Sequence, residues 1–321
     1  MENVSVRKKS VGEILSNLSM PILLVGLIIV FSILSSNFFT PLNLTNILVQ
    51  NVHVAVASAA VMIIMISGGC DLSIGYQMSV AAVLVTKLLS ETQIPVWLAM
   101  LLGIVLCALL GTFNGLMSIL LNSHTMIITL ATMAIFQGIS YMISGSKTFH
   151  NLPKSFMVLG QGRIAGIIPV NIVIAVVLLL IVGFIMSKTS TGRKVYASGD
   201  NPEAARLAGL NVSKIKLLAF TFAGVLVGIG AILLASRSGS ADSSTGTGIE
   251  FTGITACVLS GVALKGGEGT LWKVIVAVYA LGVLSNGMQL INLGTYPQYI
   301  VKGVIMLVSL YLSNRTNAKK A

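Results

Sequence analysis

An all-α, polytopic bundle of about ten transmembrane helices is the fold this sequence predicts, and three observations carry the prediction. Of 321 residues, 55% are hydrophobic and only 9% charged, with a mean hydropathy of +0.95. A soluble domain carries about 25% charged residues because water must be met over its whole surface, so this chain is suited to lipid. Apolar stretches recur at close to the ~20 residues that a helix needs to cross the hydrocarbon layer. The cationic residues, finally, fall mainly in alternate connections, as the positive-inside rule requires of a multi-pass protein.

Taken in order, the stretches are 19–36, 47–67, 74–90, 95–121, 125–144, 168–187, 214–236, 251–264, 271–291 and 296–312. Backbone polar groups cannot go unpaired in lipid, so each is read as a helix; the alternating pattern of a membrane β-barrel is absent. The first is a retained span: Arg7, Lys8 and Lys9 precede its apolar run, but no small-x-small cleavage site follows. Gly68-Gly69-Cys70-Asp71 separates the second from the third. The fourth is long enough to be tilted or broken, and the eighth is short enough to be re-entrant. Two polar connections are long, 145–167 facing outward and 188–213 facing inward. No linker divides the chain, which gives one membrane domain over 19–312 between tails 1–18 and 313–321.

Ten spans place both termini on one side. That side collects fourteen of the 20 Lys and Arg residues and the opposite side six, so both termini are expected in the cytoplasm. The net charge of +11 is thereby explained by topology. No basic stripe interleaved with aromatics accompanies it, and nucleic acid is not an expected partner.

Catalytic and metal chemistry find little support. Cys70, Cys107 and Cys257 lie in or beside apolar stretches without framework spacing, and His53, His124 and His150 have no ligand spacing to them or to each other. No P-loop is present: the nearest approach, Gly145-Ser146-Lys147-Thr148, has Tyr141 and Ser146 where both glycines belong. Energy for any ATP-driven process must come from a partner, and no cofactor is expected on this chain.

Polar groups at membrane depth mark pathways or hold helices together. Asp71 is read as the only acid near the membrane interior, either a solute or gating contact or a cap on the helix that follows. Asn51, His53, Asn114, Gln137, Asn286 and Gln289 can likewise meet solute hydroxyls or neighbouring helices. Gly224, Gly228 and Gly230 are read as close-packing positions. Asn114-Gly115 and Asn286-Gly287 occupy matching places in two five-span halves, a thin trace of internal duplication.

The inner loop holds the sharpest local signal. In Gly199-Asp200-Asn201-Pro202-Glu203-Ala204-Ala205-Arg206-Leu207-Ala208-Gly209, Asn201 is an N-cap and Pro202 fits the first helical position. Glu203 suits the positive helix start, and Gly209 can take the left-handed closing conformation. So short a helix is unstable alone. It must dock, either on its own helix ends or in a groove on a partner.

This segment resembles the coupling loop of bacterial binding-protein-dependent importer permeases, and specifically the ribose-type branch. That branch's pattern is met by Gly199, Asn201, Ala204, Ala205, Arg206 and Gly209, with Leu210 in place of Ile. Three further stretches agree: Gly68-Gly69-Cys70-Asp71-Leu72-Ser73-Ile74-Gly75; Asn114-Gly115 with Thr129-Leu130-Ala131-Thr132-Met133; and Gly266-Gly267-Glu268-Gly269 through Asn286-Gly287 to Lys302-Gly303. The sequence departs from the branch at Ser123-His124-Thr125-Met126 and at Trp272-Lys273.

The resemblance implies a permease subunit, not an enzyme, that forms the pathway for a sugar or similar small polar solute by alternating access. Gly199, Asn201, Glu203, Ala204, Ala205, Arg206 and Gly209 would couple it to an ABC ATPase subunit that carries the ATP and Mg. A second permease copy or paralogue and an extracytoplasmic solute-binding protein are the other implied partners, in a bacterial inner membrane. Asp71, Asn114, Asn286 and Gln289 are the pathway or gating candidates. A self-sufficient secondary transporter or channel is the alternative, but the buried ionisable groups or filter rings that it needs are not evident.

Overall fold

The computed structural model describes residues 11–318, with side chains for 19–311. The chain is helical almost throughout: α1 (Val11–Leu34), α2 (Pro41–Gln50), α3 (Val52–Ile66), α4 (Ile74–Glu91), α5 (Val96–Leu120), α6 (Thr125–Ser144), α7 (Lys154–Gln161), α8 (Val170–Lys188), α9 (Ser190–Asp200), α10 (Pro202–Leu207), α11 (Val212–Ser238), α12 (Ile249–Leu259), α13 (Leu271–Leu290) and α14 (Thr295–Ala318). A two-residue antiparallel pair, β1 (Arg163–Ile164) and β2 (Ile168–Pro169), closes the loop after α7.

Among the described residues, six helical stretches are long and apolar enough to cross a membrane: α2 with α3, α5, α6, α8, α11 and α13. Shorter apolar stretches lie in α1 and α12. The protein is therefore a polytopic helical membrane protein. Helix α4 is not among the six because it carries Gln77, Lys87 and Glu91, although it is buried over most of its length. The tail residues 1–10 and 319–321, with Arg7, Lys8, Lys9, Lys319 and Lys320, lie outside the described residues.

Boundaries differ from the hydropathy reading where caps or glycines intervene. The second stretch starts at Pro41, because Thr40 accepts a hydrogen bond from the Asn43 N–H (3.3 Å) and Pro41 occupies the first turn. The eighth stretch follows a non-helical segment that begins at β-bridged Ala241; its helix starts at Ile249, before 251, and ends at Leu259 instead of reaching 264. There Gly261, Gly266 and Gly267 take positive φ, a conformation that costs any other residue, and turn the chain into a loop.

All fifteen residues of α3 are buried, which makes it the pillar of the bundle. Helices α11, α12, α13 and α8 pack around it. The closest crossing is α5 on α11. A Cβ on Gly111 would overlap the carbonyl oxygen of Phe220, and one on Gly224 would overlap that of Cys107. Lipid is as apolar as leucine, so such backbone proximity, and not solvent expulsion, drives helix association there.

The bundle has two distinct ends. One gathers α9, α10, the end of α3 and the 260–270 loop: the Gly267 N–H donates to the Ile66 carbonyl at 2.9 Å. The other gathers α7, the end of α11 and the α4–α6 contact. There the Gln161 amide donates to the Arg237 carbonyl, Lys87 Nζ donates to the Ile143 carbonyl, and Phe149 pairs with Ala241.

Candidate functional site

The segment after α8 is a bent helical hairpin. Thr189 donates its hydroxyl to the Ile185 carbonyl (2.7 Å) and accepts from the Gly192 N–H (3.3 Å), which ends α8 and starts α9 in one residue. Asn201 ends α9 in extended conformation and caps α10, accepting from the Ala204 N–H at 2.9 Å, with Pro202 and Glu203 in the first turn. Gly209 closes α10 at φ +81°, and the Leu210 N–H returns to the Ala205 carbonyl at 3.0 Å.

Only Ala205 of α10 is turned inward, at 5% exposure. Leu207 is 91% exposed and Glu203, Ala204 and Arg206 are exposed with it. The tip thus offers an apolar side chain amid charges and caps, with nothing among the described residues covering it. Of the two ways for this helix to dock, its own helix ends take Ala205 alone.

The base of the hairpin is joined to the core through glycine. A Cβ on Gly199 would overlap the Ile66 carbonyl oxygen, and a Cβ on Gly267 would lie 2.5 Å from Asp200 Cα. Tyr196 Oη donates to the Gly269 carbonyl at 2.8 Å. Three backbones therefore meet at one junction: the end of α9, the end of α3 and the loop after α12.

From that junction the chain runs through 67–73 to a buried polar brace. Asp71 Oδ1 accepts from the Ser73 N–H (2.8 Å) and the Ser73 hydroxyl (2.6 Å). Asp71 Oδ2 accepts from Gln77 Nε2 (3.0 Å) on α4 and Asn114 Nδ2 (3.1 Å) on α5. Both amides also donate to Ser73 Oγ, at 2.9 and 2.8 Å. Helix α6 holds the same loop: Thr125 accepts from the Cys70 N–H (2.8 Å), and Thr129 accepts from the Leu72 N–H (3.1 Å). Asp71 thus does not cap the first turn of α4, whose N-cap is Ser73 without a side-chain cap bond; it fixes the turn at Ser73 and ties α4 to α5. Gln77 Oε1 and Asn114 Oδ1 are buried with no partner among the described residues, so the brace is not fully satisfied and carries a penalty.

Asp71 is not alone at depth, which corrects the sequence reading. Glu250, 1% exposed, opens α12 and accepts from the Gly248 N–H at 3.2 and 3.1 Å. Its carboxylate lies against the first turn of α4, where a Cβ on Gly75 would overlap Glu250 Oε2. The non-helical stretch before it is held by the Ser79 hydroxyl, which accepts from the Gly246 N–H at 2.9 Å. Irregular backbone at membrane depth is tolerated where protein satisfies it. The polar run Ser243-Ser244-Thr245-Gly246-Thr247-Gly248 was the signal for it, and an acid two residues on was the signal for the cap.

The remaining candidates lie apart. Asn286 exchanges amide hydrogen bonds with Asn43, both 2.9 Å, and ties α13 to α2. Gln289 is exposed one turn further along α13. No group of three His, Cys, Asp or Glu suited to a metal occurs among the described residues.

Residues 43–310 match the family described as "Branched-chain amino acid transport system / permease component". The L-arabinose transport system permease protein AraH of Escherichia coli (strain K12) is 34% identical over 300 residues, covering 94% of this chain and 91% of that one. The ribose import permease protein RbsC of Bacillus subtilis (strain 168) is 32% identical over 294 residues, covering 91% of each. RbsC of Escherichia coli (strain K12) is 30% identical over 298 residues, covering 92% of each. No solved structure matches the chain.

Proposed function

Because the chain belongs to the transport-system permease-component family, we propose that it is the membrane-spanning subunit of an ATP-driven, binding-protein-dependent importer whose cargo is a sugar or similar small polar solute. The relatives named for L-arabinose and ribose support the sugar class. ATP and Mg belong to a separate ATPase subunit. A second permease copy or paralogue and an external solute-binding protein complete the assembly in a bacterial inner membrane.

The observation that carries the coupling role is α10: capped at both ends, fixed at its base, and exposing Leu207 and Arg206 at its tip. This is the shape of a lever. The ATPase holds the tip, with Glu203, Ala204 and Arg206 around Leu207. Motion passes through Gly199 to α3 and the 260–270 loop, and from α3 through 67–73 to the Asp71 brace. Asp71 and Asn114 then act as a gating tie between α4 and α5, and Asn286 and Gln289 serve on α13. Glu250 and the unwound stretch before α12 bear on the same first turn of α4.

The chain crosses ten times with both termini in the cytoplasm. The end bearing α9 and α10 is the cytoplasmic one, with 239–248 and α12 together making the eighth crossing. Fourteen of 20 Lys and Arg residues fall on that side.

Co-purification with the candidate ATPase tests the reading. Glu203→Arg reverses charge at the start of α10 and should lose the complex while the membrane domain stays folded. An unchanged complex would mean that the tip is not held by the ATPase. Solute uptake by liposomes holding this chain alone would replace the importer with a secondary transporter.

A further inference from the structure

Between α8, α9 and α11 lies a groove of about 620 Å³ that the transport cycle above does not use. Its apolar part has Ile185, Phe222 and the half-exposed Leu218, and its rim carries Lys194 and Lys214. Both lysines are exposed, and no acidic side chain is among the lining residues. Leu210, the first residue past the left-handed close of α10, forms part of the wall.

The axial spread of these residues defines the occupant. From Lys214 to Phe222 the groove follows α11 for about 12 Å at 1.5 Å per residue. It therefore starts with two cations at the membrane surface and ends in hydrocarbon. A soluble peptide or nucleotide has no use for the apolar half, and a neutral lipid has none for the rim. Basic grooves between helix ends on the cytoplasmic side suit anionic lipid headgroups.

We propose that an anionic phospholipid of the cytoplasmic leaflet seats in this groove, its phosphate held by Lys194 and Lys214 and an acyl chain lying along Ile185, Leu218 and Phe222, so that it buttresses the hairpin that carries α10. The proposal rests on the cytoplasmic placement of the 188–213 segment given above. It does not rest on the identity of the cargo or on ATPase binding.

Native mass spectrometry of the full chain in detergent, titrated with phosphatidylglycerol or phosphatidylcholine, tests it without the ATPase. Wild type should retain phosphatidylglycerol in preference to phosphatidylcholine. A lysine near the surface is worth about 1 kcal/mol toward an anionic lipid, so K194Q and K214Q should each weaken retention about fivefold and the double variant about thirtyfold. L218W, which fills the apolar half and leaves both lysines, should also weaken it; retention at the wild-type level in L218W would reduce the site to surface attraction and overturn the seated chain. Equal retention of the two lipids, or a double variant that binds as wild type, would overturn the proposal outright. Loss of the lipid on adding the ATPase would show the groove to be a protein-docking face instead. Because Glu203→Arg reads the ATPase contact separately, either result stands if the other fails.

Discussion

Replacing Gly199 by alanine puts a methyl group onto the Ile66 carbonyl oxygen, with the Gly267 nitrogen at 2.8 Å from the same position. These are backbone atoms, so no side-chain rotation relieves the clash. Overpacking of this kind costs about 1–3 kcal/mol. The same displacement strains the hydrogen bond from the Gly267 N–H to Ile66, which contributes about 1 kcal/mol. The junction should therefore open more easily by about 2–4 kcal/mol, while the caps of α10 and the helices of the core are left in place. Hydrogen–deuterium exchange of the purified chain reads this directly. The Gly267 amide and the last turn of α9 should exchange about 30- to 800-fold faster than in wild type, with α5 and α11 unchanged. In the assembled transporter the variant should still bind its ATPase, yet hydrolyse ATP without moving solute. Wild-type exchange at Gly267 would refute the packing argument. Faster exchange with full transport would refute the claim that motion passes through this junction.

Asp71→Ala leaves Ser73 Oγ as the remaining shared acceptor of the Gln77 and Asn114 amides and takes the acceptor from the Ser73 N–H and hydroxyl, at about 1–3 kcal/mol for each orphaned group; thermal unfolding in detergent should shift down by several degrees, and less for Asp71→Asn. Asn286→Ala removes an exchanged amide pair within the bundle and should cost only about 0.6 kcal/mol, read by the same melt as a shift near the error of the measurement. Gly224→Val drives a branched side chain into the Cys107 carbonyl at the α5–α11 crossing; the variant should fail to accumulate in the membrane, whereas Gly138→Val, at an open position, should accumulate normally. Gly209→Ala forces a left-handed residue without the glycine freedom, about 1–2 kcal/mol, and should fray α10 in hydrogen exchange without altering the melt of the bundle.

Much of this molecule was legible because lipid simplifies the code. Helices lie in the marked stretches, six of them long and apolar enough to cross a membrane among the described residues, and Gly224 and Gly228 sit at the close crossing to which small residues in membranes point. Asn201, Pro202 and Gly209 marked α10 by local chemistry alone, and local chemistry suffices for caps. The amide pair of Asn286 shows the limit: its type announced a hydrogen bond, but nothing in the sequence named Asn43, 243 residues away. Helix α9 was missed because Ser190-Thr191-Gly192-Arg193 reads as loop; it is helical because Thr189 caps it and Val195, Ser198 and Gly199 are buried against the core. The unwound stretch before α12 escaped for a similar reason. Its backbone is satisfied by Ser79, a partner 167 residues distant that no window contains. The brace lay in three motifs that the sequence displayed separately, around Asp71, Asn114 and Thr129, and only the fold shows them to be one object.

On the proposed mechanism, force enters the membrane at the exposed tip of α10. Titration of the purified ATPase against the reconstituted chain, wild type and Leu207→Ala, tests it most directly. Leu207 is 91% exposed in the free chain, and burying a leucine side chain is worth about 1.5–3 kcal/mol. Kd should rise about 10- to 150-fold in the variant, with the melt of the membrane domain unchanged. An unaltered Kd would contradict it, and would place the ATPase contact elsewhere on the chain.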